Sequence, residues 1–208
     1  MENKNMKLVR AYWEDSSDEA LNSELEVILS TCKTRAEKLV KIAELCLPAK
    51  TNEELYYASK SYVWAGASYR KEAIYYLEKY IESGAVYDGT PSGTREMENI
   101  IYDLRSMSIS NTYIELAQCY EGEYEFDKAI ENYEKAICLT PYNPSYIVKL
   151  STVYIKKNQL QNAKDLLQSA TTKKEYGYES FRSVIDNSLA DINKKIENGY
   201  VYKKRKKK

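Results

Sequence analysis

The stretch Tyr124–Pro144, YEFDKAIENYEKAICLTPYNP, decides how the rest of the chain is read. Phe126, Ala129, Tyr133 and Ala136 recur at three- and four-residue spacing, which places them on one face of a helix whose other face is charged. Pro141 ends that helix, because proline lacks the amide hydrogen and its ring collides with the preceding turn. The two alanines, seven apart, recur thirty-four residues later as Ala163 and Ala170. The surrounding positions follow at the same offset. Tyr113 aligns with Ile147, Leu116 with Leu150, Ala117 with Ser151, Tyr120 with Tyr154, Phe126 with Leu160 and Tyr133 with Leu167.

A 34-residue period of helix-turn-helix units resembles the tetratricopeptide repeat family. The match is fullest at Tyr113, Leu116, Ala117, Tyr120, Phe126, Ala129, Tyr133, Ala136 and Pro141. The resemblance implies an all-α fold: an α-solenoid of antiparallel helix hairpins in a right-handed superhelix. Small residues at 117 and 129 would let the two helices of one hairpin approach closely, and Ala136 would do so against the next hairpin. The best units span 110–143 and 144–173. The latter departs from the pattern at Lys164 and Thr171, and no proline closes it. A helix over 178–197 is expected to cover it as a C-terminal cap. Degenerate copies are expected over 17–48, through Ala36, Val40, Ala43 and Pro48, and over 54–84, through Tyr57, Ser61, Trp64, Ala73 and Leu77. The repeat domain thus runs from 17 to 198, after an N-terminal extension over 1–16 and before a basic tail over 199–208.

Helix signals along the chain agree with this division. Expected helices cover about 17–29, 33–47, 51–65, 69–82, 95–120, 126–138, 144–157, 160–172 and 178–197. TNEE at Thr51 is a capping box, Pro48 and Gly66 are stops, and RSMSIS over 105–110 is a candidate break. The glycine-rich run GAVYDGTPSGT over 84–94 reads as the one obvious loop.

Composition narrows the function classes. Basic and acidic residues number 31 each, but 203–208 are all basic, so a mildly acidic body carries a basic tail. Histidine is absent, which removes the commonest general base and every imidazole ligand. Cys32, Cys46, Cys119 and Cys138 form no closely spaced pair of the kind zinc requires, and read as reduced structural thiols. No nucleotide-binding glycine loop is present, and carboxylate pairs such as Glu53–Glu54 have no convergent partner. The chain is therefore expected to be no enzyme, to hold no cofactor or metal, and to be cytoplasmic, without a membrane segment. The 21 tyrosines, against two phenylalanines, read mainly as core aromatics.

The resemblance implies a concave groove lined by the first helix of each hairpin, where a protein or peptide partner would bind. Its positions here are Asn111, Ile114, Gln118 and Glu121, then Ser145, Val148, Thr152, Ile155 and Lys156. Ile114, Val148 and Thr152 stand where one subset of the family places a carboxylate clamp, so that clamp is not reproduced. The alternative is that these residues pack against the protein's own terminal segments. The tail residues Lys203, Lys204, Arg205, Lys206, Lys207 and Lys208 carry a second reading, in which a nucleic-acid-associated adaptor uses them on phosphates. Lys33, Arg35, Lys38 and Lys41 are interleaved with Glu37 and Glu44, which disfavours a DNA-reading helix there. A third reading is a peptide-sensing regulator. Oligomeric state is not legible.

Overall fold

The computed structural model describes residues 3–14, 16–84, 95–141, 143–173 and 176–203, with side chains described throughout except at 95–108 and 176–177. All regular structure among these residues is helical. In chain order the helices are α1 (Lys4–Glu14), α2 (Glu19–Leu29), α3 (Arg35–Leu45), α4 (Asn52–Ala65), α5 (Arg70–Glu82), α6 (Arg95–Gly122), α7 (Phe126–Leu139), α8 (Pro144–Lys156), α9 (Leu160–Thr171), α10 (Tyr176–Ser180) and α11 (Arg182–Glu197). They form two compact units, residues 1–91 and 92–208.

The first unit closes around α1, where the sequence reading placed no element. Met6, Leu8 and Val9 of α1 share a core with Leu25 and Leu29 of α2, Ile42 and Cys46 near α3, and Tyr57 and Ala58 of α4. Two polar links fasten α1 to α4. The Arg10 guanidinium grips Glu53 through both oxygens, with Nη2 to Oε2 at 2.7 Å, and the Tyr57 hydroxyl donates to Glu14 Oε1. Because α1 enters this core, α2 packs mainly on α1, while α3 packs mainly on α4 and less on α1. Residues 17–48 thus do not close as a self-contained two-helix unit. α4 and α5 do pair, over buried Tyr57, Ser61, Ala73 and Leu77.

Local signals explain the boundaries. Asp18 caps α2 by accepting from the Ala20 and Leu21 amides, and Thr34 caps α3 by accepting from Glu37. Thr51 and Glu54 form the expected capping box at α4. Asn143 caps α8 ahead of Pro144, whose missing amide hydrogen costs nothing in the first turn.

The second unit stacks hairpins α6–α7 and α8–α9, and α11 then covers α9. α6 is continuous for 28 residues, with no break at 105–110. Between Arg95 and Gly122 there is neither glycine nor proline, and serine alone is tolerated inside a helix. The loop expected over 84–94 lies, beyond Gly84, outside the described residues. All five alanines of the repeat pattern or its vicinity, Ala117, Ala129, Ala136, Ala163 and Ala170, have no exposed surface. The C-terminal end differs from one helix over 178–197. It divides into α10 and α11, and Tyr178 on α10 is fully buried. Its hydroxyl donates to the Pro141 carbonyl at 2.8 Å and accepts from Lys173 Nζ at 3.0 Å. Tyr178 thereby ties the cap to the junction between hairpins. Ile185 and Ile192 of α11 complete a core with Ile147, Ala163, Leu167 and Ala170.

Candidate functional site: the α6–α8 face

The first helices of the two best hairpins are linked by two polar rungs. The Tyr146 hydroxyl donates to Asn111 Oδ1 at 2.8 Å. Lys156 Nζ meets Glu121 Oε1 at 2.5 Å. In each rung the partners lie 35 residues apart, and the rungs are ten residues apart along both helices. α6 and α8 therefore run in the same direction in register over about 15 Å, at 1.5 Å rise per residue. Glu121 also accepts from the Tyr133 hydroxyl of α7 at 3.1 Å. Burial first, and the neighbouring Glu121 second, push the Tyr133 phenol up, so it stays protonated and serves as a donor.

These bonds sort the nine expected groove residues. Gln118 and Thr152 are exposed between the rungs, and Asn111 is exposed at one end while accepting from Tyr146. Thr152 donates to the Val148 carbonyl at 3.1 Å, one turn back on its own helix. Glu121 and Lys156 are partly buried and neutralise each other. Ser145 is partly buried and donates its hydroxyl to Asn143 Oδ1 at 2.6 Å, within the cap of α8. Ile114 is 6% exposed and belongs to the core. Val148 and Ile155 are half-buried against the cluster containing Tyr178, Ile185 and Ile192. The face is thus a narrow polar strip between two closed rungs, with its apolar members turned to self-packing. Its chemistry is neutral hydrogen bonding, with no concentrated charge to hold a carboxylate or phosphate.

Of the tail residues, Lys203 is described and exposed, whereas Lys204, Arg205, Lys206, Lys207 and Lys208 lie outside the described residues. Among the described residues no three His, Cys, Asp or Glu side chains converge to hold a metal ion, and no helix is long and apolar enough to cross a membrane. Burial raises the Cys46 thiol to about 12, with Glu54 and Glu53 adding to the effect, so it is a core group without thiolate reactivity.

Two features of the first unit escaped the sequence reading. A cleft of about 500 Å³ between α1 and the start of α2 is lined by Lys7, Arg10, Glu14, Ser16, Ser17 and Asp18 among others. Its main charges are already engaged, Arg10 with Glu53 and Asp18 with the α2 amides. Trp64 is 54% exposed at the end of α4, edge-on to Trp13 with centroids 6.4 Å apart and under the Arg35 guanidinium at 5.5 Å. No local spacing rule brings Trp13, Arg35 and Trp64 together. Only the packing of α1 on the later helices does.

No family model matches the chain. A segment of 56 residues is 38% identical to the BBSome complex member BBS4 homolog of Drosophila melanogaster, covering 27% of this chain and 12% of that protein. The chain thus corresponds to a small part of that relative. A solved structure of the MamA RS-1 ArsTM double mutant aligns over 95% of this chain and 99% of its own, at 13% identity and a TM-score of 0.33.

Proposed function

We propose that this chain is a non-enzymatic, tetratricopeptide-like interaction module that binds an extended peptide or a partner helix on the α6–α8 face. The observation that carries the reading is the in-register pairing of α6 and α8 through the Asn111–Tyr146 and Glu121–Lys156 rungs. Stacked hairpins whose first helices align in this way present a continuous surface, and neutral hydrogen-bonding groups on it suit a peptide backbone. The units 110–143 and 144–173 form this surface, with Asn111, Gln118 and Thr152 as its open contacts. Ser145, Glu121 and Lys156 set its edges. Ile114, Val148 and Ile155 support it from beneath. The relative from Drosophila melanogaster is named as a complex member, which accords with a scaffold role.

A photo-crosslinking amino acid placed at Gln118 or Thr152 tests the reading in the source organism. Partner adducts are expected from both positions and not from Glu131, which is exposed on α7. Adducts from Glu131 alone would place the partner elsewhere. The nucleic-acid reading of the tail rests on sequence charge alone.

A further inference from the structure

Two hairpin turns of the second unit end their first helices in the same geometry. Tyr124 has φ 65° and Asn158 has φ 61°, thirty-four positions apart. The Glu125 amide donates to the Tyr120 carbonyl at 2.9 Å, and the Gln159 amide to the Tyr154 carbonyl at 2.8 Å. α11 ends likewise, with Gly199 at φ 60° and the Tyr200 amide on the Lys195 carbonyl at 2.9 Å. Left-handed backbone is unfavourable for a residue that carries a side chain, and glycine avoids that cost at 199. At 158 asparagine stands instead, and its amide is engaged.

Asn158 Oδ1 accepts from the Tyr202 amide at 2.6 Å, and Nδ2 donates to the Tyr202 carbonyl at the long distance of 3.4 Å. The Tyr202 ring meets Phe126 edge-on, with centroids 6.3 Å apart and planes at 78°. Phe126 meets Tyr124 in the same manner at 6.0 Å. Both backbone polar groups and the ring of one residue are therefore held by this turn edge. A primary amide bracketing the N–H and C=O of a single residue reads peptide backbone whatever the side chain, and the aromatic shelf adds a side-chain preference. Three acidic groups of this region have basic partners of their own. Glu121 pairs with Lys156, Glu125 with Lys128 and Asp127 with Lys157.

We infer that the turn edge formed by Asn158 and Phe126 is a peptide-binding site separate from the α6–α8 face. It selects an aromatic residue in a non-helical segment, and Tyr200–Lys203 of the same chain occupy it. Tethering through Gly199 gives Tyr202 an effective concentration on the order of millimolar, so an outside segment binds only by displacing it.

The full-length protein provides the test. Backbone heteronuclear NOE values for 200–203 are expected to match those of α11, and to fall to unstructured-chain values in Asn158→Gly. That substitution removes the amide and keeps a residue at ease with positive φ. In a second arm, a fluorescein-labelled peptide with the sequence of residues 198–208 is titrated against full-length Tyr202→Gly, whose own segment has lost its ring. Saturable binding is expected, about tenfold or more tighter than to the wild type, and lost in Tyr202→Gly/Asn158→Gly. Equal mobility of 200–203 in wild type and Asn158→Gly overturns the inference. So does failure of the peptide to bind Tyr202→Gly, or binding that persists without the Asn158 side chain. Neither arm involves Gln118 or Thr152, so failure here leaves the proposed α6–α8 function standing.

Discussion

Replacing Ala129 with leucine adds three carbons where the structure has no room for them. Ala129 and its counterpart Ala163, on the second helices of their hairpins, each have no exposed surface. Leucine and alanine are both good helix formers, so backbone propensity changes little. The cost comes from overpacking, because the hairpin must open or distort its side chains, and is about 1–3 kcal/mol. Ala190→Leu on α11 supplies the control, since Ala190 is exposed and the same added carbons meet solvent there. It is expected to move stability by less than about 0.5 kcal/mol. Urea titration followed by far-ultraviolet circular dichroism reads all three variants through the shift in midpoint at unchanged slope. Ala129 and Ala163 belong to successive hairpins, so their separate costs are expected to be similar. If Ala129→Leu or Ala163→Leu cost no more than Ala190→Leu, the close-contact role of the repeat alanines is wrong.

Two further outcomes follow from single side chains. Tyr178→Phe keeps the ring in its buried place but leaves the Pro141 carbonyl and Lys173 without the hydroxyl, and is expected to cost about 1–2 kcal/mol in urea. An unchanged midpoint would show that packing alone holds the cap. The Glu54 carboxyl is raised by desolvation, but its bonds from the Lys50 and Thr51 amides and from Thr51 and Asn3 side chains outweigh this, leaving its pKa lowered. A lowered folded pKa gives stability that is present above the unfolded carboxylate value of about 4.3 and lost as pH falls through the folded value. The advantage of wild type over Glu54→Gln is therefore expected to be full at neutral pH and to shrink below about pH 4.3. Both tryptophans, Trp13 and Trp64, lie in the first unit, so their fluorescence follows it directly. An advantage that stays constant with pH would remove the carboxylate from the capping box.

Much of this molecule is written in short-range sequence. The 34-residue offset from Ala129 to Ala163 announces the hairpins, and the structure repeats it in left-handed turns at Tyr124 and Asn158. Thr51, Asn143 and Pro144 mark helix starts because capping needs only neighbours within one turn. The all-α class follows from such local rules, since helix periodicity and stop signals act over a few residues. The candidate face was legible only as a set of positions.

Which of those positions are open was decided by tertiary packing. Ile114 and Gln118 sit one helical turn apart, yet one is core and the other exposed, and no period distinguishes them. Glu121 and Lys156 pair across 35 residues, and Val148 and Ile155 are covered through contacts with the C-terminal core. The contribution of α1 to the first unit had the same origin. Met6, Leu8 and Val9 form a short apolar patch in a charged segment, and its value appears only once Leu25, Ile42 and Tyr57 surround it. Sequence determines the helices and their hairpin period because those depend on neighbours. The residues left facing solvent depend on long-range partners, and only the folded chain supplies them.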